Sequence, residues 1–480
     1  MTESDAFRKS SDPAAGFPFI VSSNLENVDA VTRKLIRSHV MRGKKKKVRP
    51  DKGQPTIGRR ARTMAVYTQT ARIKLEEVGS LYTSLIPSRV GSDLSFAEFA
   101  ADIELPMLLN IAKVTPFARM VIFPLKVAIG LQEENNEGHY STARDAVGLH
   151  ITAFAVESFI DRVLRHRESI INLAALLHFQ KGLTLLKERL LGEDEELKIS
   201  DSTISVVLKL AEAAHFDGDY QTSKQHMQGL RKMVDLRGGI YVFRGKALEV
   251  GMLRCDLSIA MHNGSSHVFF SQPSQPVPDY PHNLLRVWDD KMCSQEYIEI
   301  SESLDSSLAA AWRVMRRFCV LVNIGTQTQR LIRPQTIHET MTAVMYRLLR
   351  MDFTAGSINE AIRHGLLAFS YHVFLQWQDI KLPYHCFPTI YKNCVLGLEL
   401  VDGISSQLMI WLLMTGALSL FSTSDEVWIR DGLRKQADKC WVSSWKEMQD
   451  ILKSFMWITL LDEQPGKHVY DMTYLEKSLE

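Results

Sequence analysis

The residues best suited to chemistry in this chain are cations. From Arg33 to Arg62, thirteen Lys and Arg stand against one acid, Asp51. The densest group is Arg42, Lys44, Lys45, Lys46, Lys47 and Arg49, with Gly43 and Pro50 bounding the run "KKKKVR". Basic side chains on an extended backbone suit three partners. A nuclear import receptor reads such a run in a groove. A DNA backbone takes it through its phosphates, with steep salt dependence and without reading bases. An anionic lipid surface attracts it by about 1 kcal/mol per Lys or Arg. A solvated charge run is the plain alternative. Import is the favoured reading, with non-specific DNA contact as an addition.

Other chemistry is sparse. "GIYVFRGKA" (Gly239 to Ala247) is the nearest approach to a phosphate loop. It has one residue too many between its glycines, Ala247 where a hydroxyl is needed, and a helix rather than a strand before it. A helix-ending turn explains it better. His364 and His372 are two helical turns apart and could share a groove, but core or surface positions account for both. His262 and His267 read as members of a polar loop without paired cysteines, which argues against a closed zinc site. Trp411, Trp428, Trp441, Trp445 and Trp457 cluster late in the chain and read as packing between helices. No nucleophile, base and oxyanion stabiliser come together, so the expectation is a non-enzyme without cofactor or metal.

These residues must be positioned by helices. "ESIINLAALLHFQKGLTLLKERLL" (Glu168 to Leu191) has apolar residues at Leu173, Leu176, Leu177, Leu183 and Leu186, and Gly192 follows as a stop. The acidic stretch "EDEEL" reads as a solvated connection. Asp201 is the expected N-cap of a helix with Ile204, Val207, Leu208 and Ala211 inward. "DGD" (Asp217 to Asp219) turns the chain into a third helix. Met227, Leu230 and Val234 face inward there, and Gly238 and Gly239 end it. "FFSQPSQPVPDYPHN" (Phe269 to Asn283) is the best internal linker or long loop. Helices resume to about Leu461, with a capping box at Ser444 and Glu447 ahead of "MQDILKSFMWITLL". The fold class is all-α: stacked α-hairpins forming a superhelical domain, without a strict repeat.

The chain has 480 residues, 45% hydrophobic and 23% charged, with a net charge of +2. The segment from Arg33 to Arg62 contributes +12, so the remainder carries −10. An acidic body with a basic arm suggests a polyanion or a receptor for the arm. The opening "MTESDAFRKSSDPAAGF" has no apolar core and is not expected to act as a secretory signal. "LMIWLLMTGALSLF" is shorter than the ~20 residues of a membrane span and reads as a buried helix, so integral membrane association is not expected. The six scattered cysteines, Cys255, Cys293, Cys319, Cys386, Cys394 and Cys440, fit an intracellular chain with free thiols.

Several stretches resemble the regulatory domain of fungal-specific transcription factors, the family of zinc-cluster regulators and their zinc-free relatives. From His178 to Ile240 the order is a Leu-rich helix, an acidic linker, "SDSTISVVLKL", "GD", and then "HMQGLRKMVDLRGG". The matching anchors are Leu183, Asp201, Thr203, Val206, Leu210, Gly218, Asp219, His226, Gly229, Leu230, Met233, Val234, Arg237, Gly238 and Gly239. "LMIWLLMTGALSLF", "EVWIRDGL" and "SSWKEMQDILKSFMWITLLDEQPGK" resemble the family's C-terminal end. "FPFIVSSNLENVDAVTRKLIRSHVMRGKKKK" resembles the opening of one of its branches. One difference matters: no cysteine precedes Cys255, so the six-cysteine zinc cluster is lacking.

The resemblance implies a nuclear regulator of transcription that works through other transcription factors or a homodimer. The alternative is a cytoplasmic or membrane-peripheral helical scaffold. The expected organisation is a disordered basic arm over residues 1–62, helical halves over 63–268 and 284–467 around a Pro-rich loop at 269–283, and a tail at 468–480.

Overall fold

The first helical hairpin is tied at both ends by polar side chains. α1 (Ala146–Phe159) starts on Asp145, whose carboxylate accepts from the Val147 amide. α2 (Leu173–Leu191) starts on Asn172, whose side-chain oxygen accepts from Ala174 N and Ala175 N. Asn172 also donates to Glu157 and Asp161 at the far end of α1, while Arg189 returns to pair with Asp145. The two helices therefore run antiparallel. In this computed structural model the described residues are 145–161 and 172–475, apart from 273, 286–293, 331, 377–385, 402 and 422–426, with a few positions between 103 and 125.

Every regular element among the described residues is helical, which fits the all-α expectation. A single turn, α3 (Glu195–Lys198), carries the exposed acidic stretch. α4 (Asp201–Phe216) and α5 (Tyr220–Leu236) form the second hairpin around Gly218, at φ +78. Met227, Leu230 and Val234 are fully buried, as the spacing predicts. α5 ends at Gly238 (φ +99) and Gly239 (φ +96), a left-handed pair that other residues adopt only with strain. The cap of α4 is Ser200, not Asp201: its hydroxyl accepts from Thr203 N at 3.2 Å. Ser200 is as good a cap as Asp, and Asp201 is occupied instead by Arg237 at 2.7 Å and Lys246 at 2.9 Å.

After a 3₁₀ turn (Ile240–Phe243) come α6 (Ala247–Asn263) and a long loop ending in the short α7 (His282–Leu285). The loop is stitched to the body. Asp256 accepts from Val268 N (2.6 Å), Phe269 N (2.9 Å) and Tyr346 Oη (2.8 Å). Phe269 and Phe270 are buried, and Arg347 and Arg350 donate to carbonyls from Phe270 to Pro278. His262 and His267 are accordingly buried, which corrects the expectation of a polar loop. Proline-rich composition predicted irregular backbone but could not show that two phenylalanines anchor it.

The rest comprises α8 (Gln295–Ser303), α9 (Ser306–Thr328), α10 (Pro334–Arg350), α11 (Ile358–Phe374), α12 (Phe387–Leu398), α13 (Ser406–Ser419), α14 (Val427–Lys439), α15 (Trp445–Ser454) and α16 (Thr459–Leu475). α13 is the axle, in contact with α11, α12, α14, α15 and α16. One apolar core runs from α1 to α16 without interruption. Gly365 permits the approach of α11 to α13: a Cβ there would stand 2.6 Å from Leu412 Cδ2 and 3.0 Å from Trp411. The capping box at Ser444 and Glu447 is formed. The helix it starts stops at Ser454, however, and the chain bends at Phe455 before α16. Phe455, Met456, Trp457 and Ile458 are all buried at this bend, so tertiary packing overrides the continuous apolar run. α16 then passes Pro465 and continues beyond the expected limit near Leu461, held by buried Val469 and Thr473.

Candidate functional site

The six cations singled out in the sequence, Arg42, Lys44, Lys45, Lys46, Lys47 and Arg49, lie outside the described residues. The functional features that can be built from side chains belong to the helical body.

The histidine pair of α11 is not one site. His372 Nε2 meets Asp462 at 2.8 Å and Nδ1 meets Gln376 at 2.6 Å, a link from α11 to α16. His364 sits in a different group. Its Nδ1 lies 2.9 Å from the Glu360 carbonyl and 3.7 Å from Cys394 Sγ. A carbonyl only accepts, so Nδ1 carries the proton and cannot act as base toward the thiol. Burial and Glu360 raise the Cys394 thiol further from its reactive form, against Arg363. Glu360 is held by Arg363 and lowered overall, although burial opposes this. This arrangement has the residue types of a nucleophilic centre and the protonation of a structural tie.

His262 and His267 are likewise satisfied. His262 Nδ1 meets the Ser258 carbonyl at 2.8 Å and Nε2 meets Tyr371 Oη at 3.1 Å. His267 Nδ1 meets the Phe269 carbonyl at 2.7 Å. No group of three or more His, Cys, Asp or Glu is placed to hold a metal among the described residues. The described cysteines, Cys255, Cys319, Cys386, Cys394 and Cys440, are all free. Beside His262 lies His215, in edge contact at 4.7 Å between ring centroids, with Tyr220 at 5.5 Å. Both His215 ring nitrogens are buried without a hydrogen-bond partner, and burial pushes this imidazole well below its usual value.

A cluster of perturbed charges joins α4 and α6 and reaches α1. Lys209 donates to Thr152 Oγ1 at 2.8 Å, and Arg254 donates to the Phe374 carbonyl. Glu212 is open to solvent. Desolvation pushes its carboxyl up to about 7, against Lys209 and Arg254. Desolvation also brings Lys209 down to about 8 and Arg254 down to about 10. Such perturbation marks functional sites and structural networks alike. The nearby thiol, Cys255, is buried and held protonated by desolvation, so no nucleophile faces the pair. Sequence reading passed over this cluster. Lys209 and Glu212 are an ordinary i, i+3 pair on a helix, and Arg254 joins them only through tertiary packing.

The second feature missed is an apolar surface. Of the leucines predicted to face inward on α2, only Leu186 is buried, whereas Leu173 is 67% and Leu177 57% exposed. Leu176, Leu190, Leu191 and, on α3, Leu197 are exposed as well. α2 buries a different stripe, Ala175, Gly182 and Leu186. Gly182 brings α2 so close to α1 that a Cβ would meet Ile151 at 2.6 Å. The signal was present: leucines recur on more than one side of α2, and one packed neighbour can cover only one. Among the tryptophans, Trp411 and Trp457 are buried and Trp445 and Trp428 pack against the core, but Trp441 is 89% exposed. No protein-family model, curated protein or solved structure matches this chain.

Proposed function

We propose that this chain is a nuclear, non-enzymatic regulator of transcription of the fungal-specific type, lacking a zinc cluster. The observation that carries the reading is the charge asymmetry: +12 between Arg33 and Arg62 on a chain otherwise at −10. Arg42, Lys44, Lys45, Lys46, Lys47 and Arg49 serve as the import signal and add non-specific contact with DNA phosphates. The helical body engages other transcription factors or a second copy, and the exposed leucines of α2 support that role, because large apolar groups in solvent commonly mark partner surfaces. The sequence resemblance supplies the transcriptional context. No helix among the described residues is long and apolar enough to cross a membrane.

The test replaces Lys44 to Lys47 by Ala in the tagged full chain at native expression. The expected result is loss of nuclear accumulation with an unchanged melting temperature, since the run contributes only charge. Continued nuclear residence of the variant defeats the import assignment. A wild-type chain that stays in the cytoplasm and binds anionic vesicles in a salt-dependent manner supports the scaffold reading instead.

A further inference from the structure

A polar cleft of about 400 Å³ opens where the 3₁₀ turn, α7 and the start of α10 meet. Its lining holds two arginines, Arg244 and Arg333, from segments far apart in sequence. Both are exposed, and neither makes a hydrogen bond or ion pair through its side chain among the described residues. Other arginines of the body, among them Arg189, Arg231, Arg237, Arg347, Arg350 and Arg363, are engaged by carboxylates or carbonyls. Glu249 is near enough to Arg244 to feel its charge, but its carboxylate is taken by the Gly245 amide at 2.8 Å.

The floor of the cleft points the same way. α10 is a 17-residue helix whose N-cap, Arg333, provides no side-chain cap, and Pro334 occupies its first turn. Its positive end is therefore left for something else to neutralise. Thr336 lines the cleft, is only 6% exposed, and its hydroxyl has no hydrogen-bond partner among the described residues. The hydroxyl is thus free to bond an occupant of the cleft. His282 and Asn283 on α7 and Gln335 on α10 add further hydrogen-bonding groups around the rim.

One carboxylate, Glu339, completes the lining. An anionic group fits at the arginines and the helix end, and hydroxyl donors fit toward Glu339. We propose that this cleft binds a hydroxylated phosphomonoester, with the phosphate held by Arg244, Arg333 and the Thr336 hydroxyl and the ring hydroxyls directed to Glu339, Asn283 and Gln335. Guanidinium groups suit phosphate oxygens better than ammonium groups would, because each can offer two parallel donors. The volume lies in the range of small-molecule sites, and the polar lining selects a polar occupant. A free sugar phosphate and an inositol phosphate headgroup on a membrane share this chemistry.

The proposal stands apart from the regulator reading and is tested without it. The basic run itself attracts phosphate, so the starting protein is the full chain with Lys44 to Lys47 replaced by Ala. Glucose 6-phosphate, inorganic phosphate and glucose are titrated calorimetrically at fixed ionic strength, and vesicles carrying phosphatidylinositol 4-phosphate form a fourth arm. Saturable binding of glucose 6-phosphate is expected, with inorganic phosphate weaker and glucose silent. The pair R244A and R333A should weaken binding by about tenfold or more, the scale of one to two charge-assisted hydrogen bonds. Both arginines are exposed, so the fold should survive; Gln335→Ala, another exposed rim position, provides a second variant and should weaken binding several-fold. Vesicle binding that exceeds the soluble arm, with the same dependence on the arginines, supports the site and assigns the phosphate to a lipid. Absence of saturable binding in every arm, or binding unaffected by R244A and R333A, overturns the proposal.

Discussion

α2 and α13 are both rich in leucine, and the structure treats them in opposite ways. In α13, every residue from Leu408 to Ala417 is buried, because five helices surround it. In α2, Leu173, Leu176, Leu177, Leu190 and Leu191 face solvent, and among the described residues the helices that pack closely against it are α1 and α3. The difference lies in neighbours rather than composition. A helix at the centre of a stack buries all its sides, while one at the periphery buries a stripe. The uncovered leucines of α2 therefore add little to the fold, whereas the side chains of α13 support much of it.

The comparison predicts its largest effect at Trp411. This indole stands in α13 against Trp312 at 5.4 Å, Phe455 at 6.2 Å and Phe369 at 6.3 Å, and its Nε1 donates to the Met456 carbonyl at 3.0 Å. Trp411→Ala removes the ring, leaves a cavity that rigid neighbours cannot fill, and orphans the carbonyl. The expected loss is about 3–5 kcal/mol, measured by chemical denaturation. A loss below about 1 kcal/mol would show that α13 is not the axle.

Histidines sharpen the contrast and titrate it. His178 on α2 is half-buried and shares a 2.9 Å contact between ring nitrogens with His150. His215 on α4 is buried with both nitrogens unpartnered. Its folded value lies well below 6.5, chiefly through desolvation and then through His262. As pH falls through 6.5, the unfolded chain takes up this proton and the folded chain does not. Stability therefore falls with acid, by up to about 1.4 kcal/mol per pH unit per proton. His150, pushed down to about 4, acts in the same direction. Glu212 opposes them: with its folded value up to about 7, the folded chain protonates first between pH 7 and 4.5, and stability gains there, though its exposure reduces the gain. His215→Phe should keep the ring contacts with Tyr220 and His262 and flatten the stability profile between pH 6.5 and 5 by close to one proton. An unchanged slope would mean that the imidazole finds a partner when charged.

How much of this was legible depends on the scale of the cause. Caps, turns and stripes are local, and Gly218, Asp219, Gly238, Ser444 and the inward set Met227, Leu230 and Val234 could be read directly from spacing. Whether a stripe meets a neighbour is not local. Leu173 and Leu177 have the period of a core face, and His267 has the setting of a polar loop, yet tertiary packing exposes the first two and buries the third. The Pro-rich loop shows the same limit. Its prolines announce irregular backbone, but the Asp256 carboxylate that fixes it comes from α6 and the arginines that clamp it come from α10. The charge cluster of Lys209, Glu212 and Arg254 is assembled from separate helices, so no run of residues could display it.

The smallest expected effect is the most informative about function. Leu177 is 57% exposed, so Leu177→Ala forfeits little burial and should change stability by less than about 0.5 kcal/mol. Leu177→Glu, with Leu173→Glu, should be equally mild for the monomer, because the charges point into water and α1 holds the opposite side of α2. If the face serves association, the same double variant will shift the sedimentation of the full chain toward monomer or strip it of its co-purifying factors. The two readouts separate cleanly. Loss of association at constant melting temperature marks a surface kept apolar for a partner. Loss of stability instead would mean that the α2 leucines work for the fold as α13 does, and the contrast between the two helices would collapse.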